Sequence, residues 1–193
     1  VVCGMYRLAL VSLHGCPFAR LGEKDTGGMN VYVLQVAKEM GRRGHKVDVF
    51  TRIHDPNDPQ IMEMGCNARV IHLNAGPYGE AKESLHRFIP QFLDSLSRFQ
   101  DEEGVSYDLI HSHYWLSGIA GIELSRRWRV PHSTTFHTLA RAKMEARPGD
   151  RESEIRLEAE SVVMNGVDSM VVSTEHERED LRRLYQVRSQ RVR

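Results

Sequence analysis

Short apolar runs alternate with longer amphipathic segments along the whole chain. The short runs are rich in aliphatic and β-branched residues, which is typical of buried strands, and we predict strands at 5–13, 46–51, 68–74, 107–112, 132–136 and 168–173. Helical periodicity follows most of them, and we predict helices at 28–43, 83–102, 115–128, 150–165 and 175–186. Strands that alternate with helices predict an α/β fold, with a Rossmann-like parallel sheet covered by helices on both faces.

Local signals refine the ends of these elements. Gly44, after two arginines, is expected to stop the first helix, and Thr174 is expected to cap the last one. Pro90 lies inside the helix predicted at 83–102, so that helix should kink or start late. The final residues, 186–193, begin an alternation for which no partner strand is evident.

Composition narrows the class of protein. The chain has 193 residues, of which 40% are hydrophobic and 27% charged, and this fits one ordinary globular domain. Its 26 basic and 26 acidic residues cancel, whereas a nucleic-acid-binding protein normally carries a basic excess. No apolar run is long enough for a membrane span, and no signal peptide is evident. Cys3, Cys16 and Cys66 have no CxxC spacing, so we expect a reducing, cytoplasmic location.

Polar and aromatic residues follow several predicted strands at the point where each strand ends. His14 follows the first strand, Asn74 the third, and the pairs His113-Tyr114 and His137-Thr138 follow the next two. In open α/β sheets ligands bind outside the carboxyl ends of the strands. These positions therefore predict a ligand site at one edge of the sheet.

A glycine-rich loop opens into the first predicted helix. Asp25-Thr26-Gly27-Gly28 lets the backbone approach a ligand, and the free N–H groups of a helix start attract anions. The loop matches neither GxGxxG nor GxxxxGK[ST], which disfavours a nicotinamide enzyme and a P-loop NTPase. On these residues alone, a phosphate site and a plain glycine turn both remain open.

Three histidines allow two kinds of chemistry. His111 and His113 share one strand face and could ligate a metal with Asp108 or His137, although the HExxH and paired-cysteine spacings are absent. A metal-dependent hydrolase that uses His111, His113 and His137 is one alternative. The other interpretation is that one of His111 and His113 packs in the core while the other contacts a ligand. His137 lies at a strand tip, where a ligand role is favoured.

Two cations could converge on one anionic group. Lys82 lies in a glycine-rich loop and Arg156 on a later helix, and together they would suit a phosphate. A stand-alone module that binds an anionic small molecule is therefore a further alternative. The absence of GxSxG disfavours a serine hydrolase.

Four segments resemble, in the same order, the blocks of retaining glycosyltransferases of family 4. They are DTGGMNVYVLQVAKEMGRRGHKVDVFTR (25–52), DLIHSHYWLSGIAG (108–121), TFHTLARAK (135–143) and EIRLEAESVVMNGVDSMVVSTEHEREDLRRLY (154–185). The resemblance implies the N-terminal half of a GT-B fold, in which two Rossmann-like domains face each other across a cleft. Residues 1–193 would be the acceptor domain, with the C-terminal donor-binding domain absent and acting in cis in the full protein.

The resemblance also implies the reaction and the residues that carry it. A sugar would pass with retention from a nucleotide sugar, usually UDP-linked, to a phosphorylated polyol or sugar. The Met29-Asn30 pair and the string HYWLSG favour members that use an inositol phosphate, with hexose phosphate users next. Gly27 and Gly28 would hold the donor diphosphate, and His137 would meet the transferred sugar near its anomeric centre. The residues implied for the acceptor are Asn30, Lys82, Tyr114, Thr138 and Arg156.

Two further expectations follow from the resemblance. The family mechanism implies no metal and no other cofactor. The Glu-x7-Glu motif that grips the donor belongs to the second domain, so the same spacing at Glu152 and Glu160 is read as a coincidence. Without that domain, the chain alone should be inactive or very weakly active.

Overall fold

A computed structural model describes residues 4–19 and 27–193. Cys3 and the Asp25-Thr26 part of the predicted phosphate loop lie outside these residues. The described chain forms a seven-stranded sheet with the order β3-β4-β2-β1-β5-β6-β7. The strands are β1 (Arg7–Val11), β2 (Lys46–Arg52), β3 (Ile61–Gly65), β4 (Ala68–Leu73), β5 (Leu109–His113), β6 (His132–Thr135) and β7 (Ser169–Met170).

The sheet is mostly parallel, as the alternation of strands and helices predicts. Neighbouring strands pair in parallel, except that β3 runs antiparallel to β4 at one edge. β3 is absent from the sequence prediction because it is a half-exposed edge strand in which Met64 alone is buried. Its five residues, IMEMG, offer too few alternating positions to distinguish a strand from a loop.

The helices lie close to the predicted segments, with one addition. They are α1 (Gly28–Arg42), α2 (Ile89–Glu103), α3 (Tyr114–Trp128), α4 (Ala140–Ala146), α5 (Glu154–Gly166) and α6 (Glu175–Tyr185). The short α4 was not predicted. The helix predicted at 83–102 starts late, because a 3₁₀ segment, Lys82–Phe88, precedes α2 and Pro90 falls in the first turn of α2. Thr174 caps α6 as expected, since its hydroxyl accepts a hydrogen bond from the Glu177 N–H.

Apolar side chains fill both faces of the sheet. Val33 and Ala37 of α1 pack with Val49 and Val70 on one face. The larger cluster on the other face includes α2, α3 and α5, with fully buried Phe92 among its members. The Rossmann-like arrangement with helices on both faces is therefore confirmed. None of the helices among the described residues is long and apolar enough to cross a membrane.

The end of the described chain returns to the sheet. β7 has two residues where six were predicted, and Val192 forms a parallel bridge to Met170. The Arg193 N–H donates to the Met170 carbonyl at 2.8 Å, and the Val172 N–H donates to the Arg193 carbonyl at 3.0 Å. The expectation that residues 186–193 have no partner strand is therefore wrong.

The order of strands reverses direction at β1. β1 pairs with β2 on one side, where Leu8 lies opposite Val47, and with β5 on the other, where Leu8 lies opposite Leu109. α1, which follows β1, packs on one face of the sheet, and α3, which follows β5, packs on the other. The carboxyl ends of these two strands therefore border a crevice, which is the place where ligands bind in open α/β sheets.

Candidate active site

A single cavity of about 540 Å³ lies at the carboxyl edge of the sheet. It brings together every site residue that the sequence singled out, namely Gly27, Gly28, Asn30, Lys82, Tyr114, His137, Thr138 and Arg156. It also includes His14, Met29 and Lys143, of which Lys143 had not been singled out. The cavity volume is in the range of small-molecule sites.

The glycines at the start of α1 leave open space above the helix terminus. Gly27 is the N-cap of α1 in an extended backbone conformation, and no side chain caps the helix there. A Cβ built on Gly27 or Gly28 meets no heavy atom within 4 Å. Neither the packing nor the backbone therefore requires glycine at Gly27. Small residues and an uncapped helix start together leave room for an anion to approach the N–H groups.

Asn30 connects this helix to the loop that follows β1. Its side chain is buried, and its Nδ2 donates to the Cys16 carbonyl at 2.9 Å. The hydrogen bond fixes the loop against α1, and Asn30 still forms part of the cavity wall. Asn30 therefore has a structural contact in addition to the ligand contact that the resemblance implies.

Two cavity residues adopt the left-handed backbone region that non-glycine residues rarely occupy. Tyr114, directly after β5, has φ 75°, and His137, just after β6, has φ 62°. Such conformations cost about 1–3 kcal/mol each and cluster at functional sites. The Tyr114 ring lies between the His14 ring, 4.7 Å away, and the Arg156 guanidinium, 5.0 Å from its centroid.

A hydrogen bond between two imidazoles orients His137. His113 Nδ1 and His137 Nε2 are 3.0 Å apart. Burial lowers the pKa of His137 to about 4 and the pKa of His113 well below its ordinary value, so both rings are neutral near pH 7. His113 Nε2 is buried with no hydrogen-bond partner among the described residues. A buried acceptor without a partner costs less than a buried N–H, so the pattern assigns the proton to His113 Nδ1. His137 then accepts at Nε2 and carries its own proton on Nδ1.

His111 faces a different environment. Its Nδ1 lies 2.6 Å from the Ser133 hydroxyl and its Nε2 lies 3.1 Å from the Thr135 hydroxyl. Burial lowers its pKa to about 3. Because both ring nitrogens are engaged by hydroxyls, His111 is not positioned to complete a metal site with His113 and His137. Asp108 lies at the other end of β5, where it accepts from the Arg7 N–H at 2.7 Å. The metal-hydrolase alternative therefore finds no support.

Arg156 is a buried ion-pair centre. Its Nε donates to Glu160 at 2.9 Å, its Nη1 to Glu152 at 2.9 Å, and its Nη2 to the carbonyl and hydroxyl of Thr138 at 3.1 Å. Glu160 is fully buried and also accepts from the Ala140 N–H. Glu152 and Glu160 thus flank the guanidinium that lies between them in sequence. That their spacing is unrelated to the donor-binding motif stays a prediction.

Lys143 is the cavity cation that sequence reasoning missed. It belongs to α4, and its Nζ lies 2.6 Å from Glu152, the carboxylate that also binds Arg156. The available signal was its place at the end of the TFHTLARAK block. Lys82, at the start of the 3₁₀ segment, approaches the cavity from another loop. The described lining thus offers Lys82, Lys143 and Arg156, a set that suits a dianionic phosphate.

A second cavity of about 760 Å³ adjoins the first. His137, Thr138 and Lys143 line both. Ser173 and Thr174, which come just before α6, line only the second cavity. His137 therefore stands at the boundary between two spaces, one of which begins at the glycines of α1.

Comparison with known sequences identifies the family. The model of the "Glycosyl transferase 4-like domain" family matches residues 27–193. The chain is 45% identical over 178 residues to a D-inositol 3-phosphate glycosyltransferase from Corynebacterium jeikeium, covering 91% of this chain and 42% of that protein. The chain thus spans less than half the length of this curated relative.

Two solved structures share the fold, and this chain again covers less than half of each. Sucrose-phosphate synthase from Thermosynechococcus elongatus superposes with a TM-score of 0.85 at 35% identity, over 92% of this chain and 45% of that one. Anabaena HepE in complex with UDP and glucose shares the fold, with a TM-score of 0.63 at 15% identity over 97% of this chain and 43% of that chain. The family match over residues 27–193 and these likenesses lead to one conclusion: the chain belongs to the glycosyl transferase 4-like family.

Proposed function

We propose that this chain is the acceptor-binding half of a retaining glycosyltransferase that moves a sugar from a nucleotide sugar to an inositol phosphate. The observation that carries the proposal is the cavity of about 540 Å³, where the start of α1, His137 and three cations lie together. A transferase for two polar, anionic substrates requires these features in one place.

The acceptor phosphate would bind among Lys82, Tyr114, Thr138 and Arg156, with Lys143 as an added cation. Arg156 already bonds to Glu152 and Glu160, so its net contribution to an incoming dianion is reduced. Lys143 is itself paired with Glu152, so the three cations would attract the phosphate together. Asn30 would contact a hydroxyl of the polyol ring. The name of the Corynebacterium jeikeium relative supports an inositol phosphate, and sucrose-phosphate synthase makes a hexose phosphate the competing acceptor.

The donor diphosphate would lie above Gly27 and Gly28. Fixed N–H dipoles at a helix start stabilise negative charge as it grows on a leaving nucleoside diphosphate.

In a front-face reaction, the bond from the anomeric carbon to the diphosphate oxygen breaks while the acceptor oxygen bonds to the same face of that carbon. The acceptor proton passes to the departing phosphate oxygen. His137, whose Nδ1 carries the proton, would donate to the transferred sugar at the boundary of the two cavities.

The donor needs more contacts than this half offers. Because the chain spans less than half of its relatives, we propose that a second domain of the full-length protein binds the nucleotide and closes the cleft. The described thiols, Cys16 and Cys66, suit the reducing cytoplasm that we propose for it.

Thermal unfolding of the chain with inositol 3-phosphate, fructose 6-phosphate and inorganic phosphate tests the acceptor assignment. A ligand that binds the folded state raises Tm with its affinity and concentration. We expect inositol 3-phosphate to raise Tm most, Lys82→Ala to abolish the effect, and Lys46→Ala, an exposed lysine outside the cavity, to preserve it. A larger effect of fructose 6-phosphate would identify a hexose phosphate acceptor. An equal rise in Tm with inositol 3-phosphate in the parent, Lys82→Ala and Lys46→Ala would refute the site.

A further inference from the structure

Three metal-ligating side chains meet outside the cavity described above. Cys16 follows β1, His54 follows β2, and His72 lies in β4. One ligand atom from each lies within 4.8 Å of the other two, and Cys16 Sγ is 3.3 Å from His72 Nε2. The sequence gives no metal-binding spacing here, because the residues are separated by 38 and 18 positions.

The surroundings of the two imidazoles prepare them for a cation. His72 Nδ1 lies 2.8 Å from the Pro59 carbonyl, which can only accept, so the ring carries its proton there and Nε2 is left with a lone pair beside the thiol. A carbonyl that holds the second ring nitrogen is the usual support of a metal-bound histidine. His54 Nδ1 lies 3.0 Å from Asp58 Oδ2, which places a carboxylate next to the cluster.

The Asp58 carboxylate adds negative charge beside His54 Nδ1. Asp58 Oδ2 is buried and receives no well-directed hydrogen bond from any described residue. A buried carboxylate oxygen of this kind is costly unless a cation or a donor approaches it. Together with a thiolate, it would make the cluster anionic, which is the condition for binding a divalent ion.

We propose that Cys16, His54 and His72 bind a zinc-class divalent cation, with a water as the fourth ligand and Asp58 beside His54. One thiolate and two imidazoles are the donors that Zn²⁺ prefers. Bond lengths of about 2.0–2.1 Å to nitrogen and about 2.3 Å to sulfur place tetrahedral S and N ligands roughly 3.5 Å apart, so the Cys16–His72 pair needs little movement. Binding releases the thiol proton to solvent, and affinity therefore falls as pH falls. The side chain of His54 is 37% exposed, which gives the ion a path of entry.

The ion would act on the candidate active site through the backbone. The Cys16 carbonyl accepts the hydrogen bond from Asn30, which lines the cavity. A bound cation would hold the loop after β1 to β4 and to the loop after β2. The site would thus fix the loop that leads to the start of α1 without touching either substrate.

Cobalt and zinc titrations of the chelator-treated chain, kept reduced with a phosphine, test the proposal. Co²⁺ should give a thiolate charge-transfer band in the near ultraviolet and the visible bands of a tetrahedral site. Zn²⁺ at 100 times Kd should raise Tm by about 5–10 °C. Cys16→Ser should lose the charge-transfer band, and His54→Gln and His72→Gln should weaken Zn²⁺ binding at least about tenfold.

Matched controls make the outcome decisive. His176→Gln removes an exposed histidine that also lies four residues before an aspartate, and Cys66→Ser removes the exposed thiol. Both variants should bind as the parent does. Should Cys16→Ser fail to fold, the exposed His54 still provides the test. The proposal is overturned if no charge-transfer band forms, if Cys66→Ser abolishes it, or if His54→Gln and His176→Gln bind zinc equally.

Discussion

At the scale of single residues, the site is marked by backbone strain and by buried neutral histidines. Tyr114 and His137 occupy left-handed conformations at the ends of neighbouring strands. The rule that ligands bind at the carboxyl ends of strands, joined to the family resemblance, was sufficient to name these residues. It could not predict the contact of His113 with His137, because a hydrogen bond between the end of β5 and the loop after β6 depends on the tertiary structure.

Strain at His137 has a measurable signature. His137→Gly should be more stable than His137→Ala by about 0.5–1 kcal/mol, because glycine adopts φ near 62° freely and alanine does not. Urea unfolding of the two variants measures the difference. Both lack the imidazole, so the comparison isolates the backbone; an alanine variant as stable as the glycine variant would show that the strain is absent.

The buried histidines predict a loss of stability in acid. Folding lowers the pKa of His111 to about 3, so its stabilising contribution is present above the ordinary value near 6.5 and is lost as pH falls from there towards 3. Between about pH 7 and about pH 5, this one residue should account for about 2 kcal/mol of lost stability. Urea unfolding at the two pH values should show a smaller loss for His111→Gln and an unchanged loss for exposed His176→Gln. Equal losses in all three proteins would contradict the assignment.

At the scale of elements, α1 and α5 present the site. The four-residue spacing of Arg156 and Glu160 is the signal from which their ion pair could have been predicted, since both lie on one face of α5. Glu152 precedes the N-cap of α5, so its ion pair with Arg156 could not have been predicted in this way. β3 and α4 could not have been predicted in the same way. β3 is half exposed and α4 has seven residues, so neither carries enough periodic positions to be distinguished from a loop.

The two kinds of glycine in α1 should respond oppositely to alanine. Gly28→Ala should leave stability unchanged or raise it by up to about 1 kcal/mol, because its Cβ enters open space in a helix. Gly41→Ala should destabilise the fold, because its Cβ would overlap the Cys66 carbonyl. Thermal unfolding gives both values, and UDP-glucose should stabilise the Gly28→Ala chain less than the parent. If Gly28→Ala destabilised the fold as much as Gly41→Ala, Gly28 would be required for packing and the prediction would be contradicted.

At the scale of the whole molecule, we propose that the chain forms one half of the active site and that a second domain forms the other half. The cavity near α1 and the cavity near α6 meet at His137, and the relatives continue for more than the length of this chain. The parallel sheet with helices on both faces was predicted from the alternation of strands and helices, whereas the order of its strands was not. The contacts with the proposed second domain could not be predicted from this sequence, because they would involve residues that it does not contain.

Activity should depend on the second half. We expect the chain alone to transfer sugar from UDP-glucose or UDP-N-acetylglucosamine to inositol 3-phosphate at least about 100-fold more slowly than a chimera in which it precedes the second half of the Corynebacterium jeikeium relative. Product formation at saturating substrate measures this. The chimera carrying Lys82→Ala controls for the acceptor site, and comparable rates for the chain alone and the chimera would contradict the proposed division of labour.

The central place of β1 determines when the site can arise during synthesis. One edge of β1 is covered once β2 has emerged, but the other pairs with Leu109–Ser112, about a hundred residues later. Chains emerge from the ribosome with the N-terminus first, so β1 waits with an unpaired edge while more than half of the domain is made. The cavity cannot form before β5 and β6 have emerged from the ribosome, because Tyr114 and His137 follow these strands. Pauses in translation ahead of β5 would therefore expose this nascent chain to aggregation for longer than pauses after β6 would.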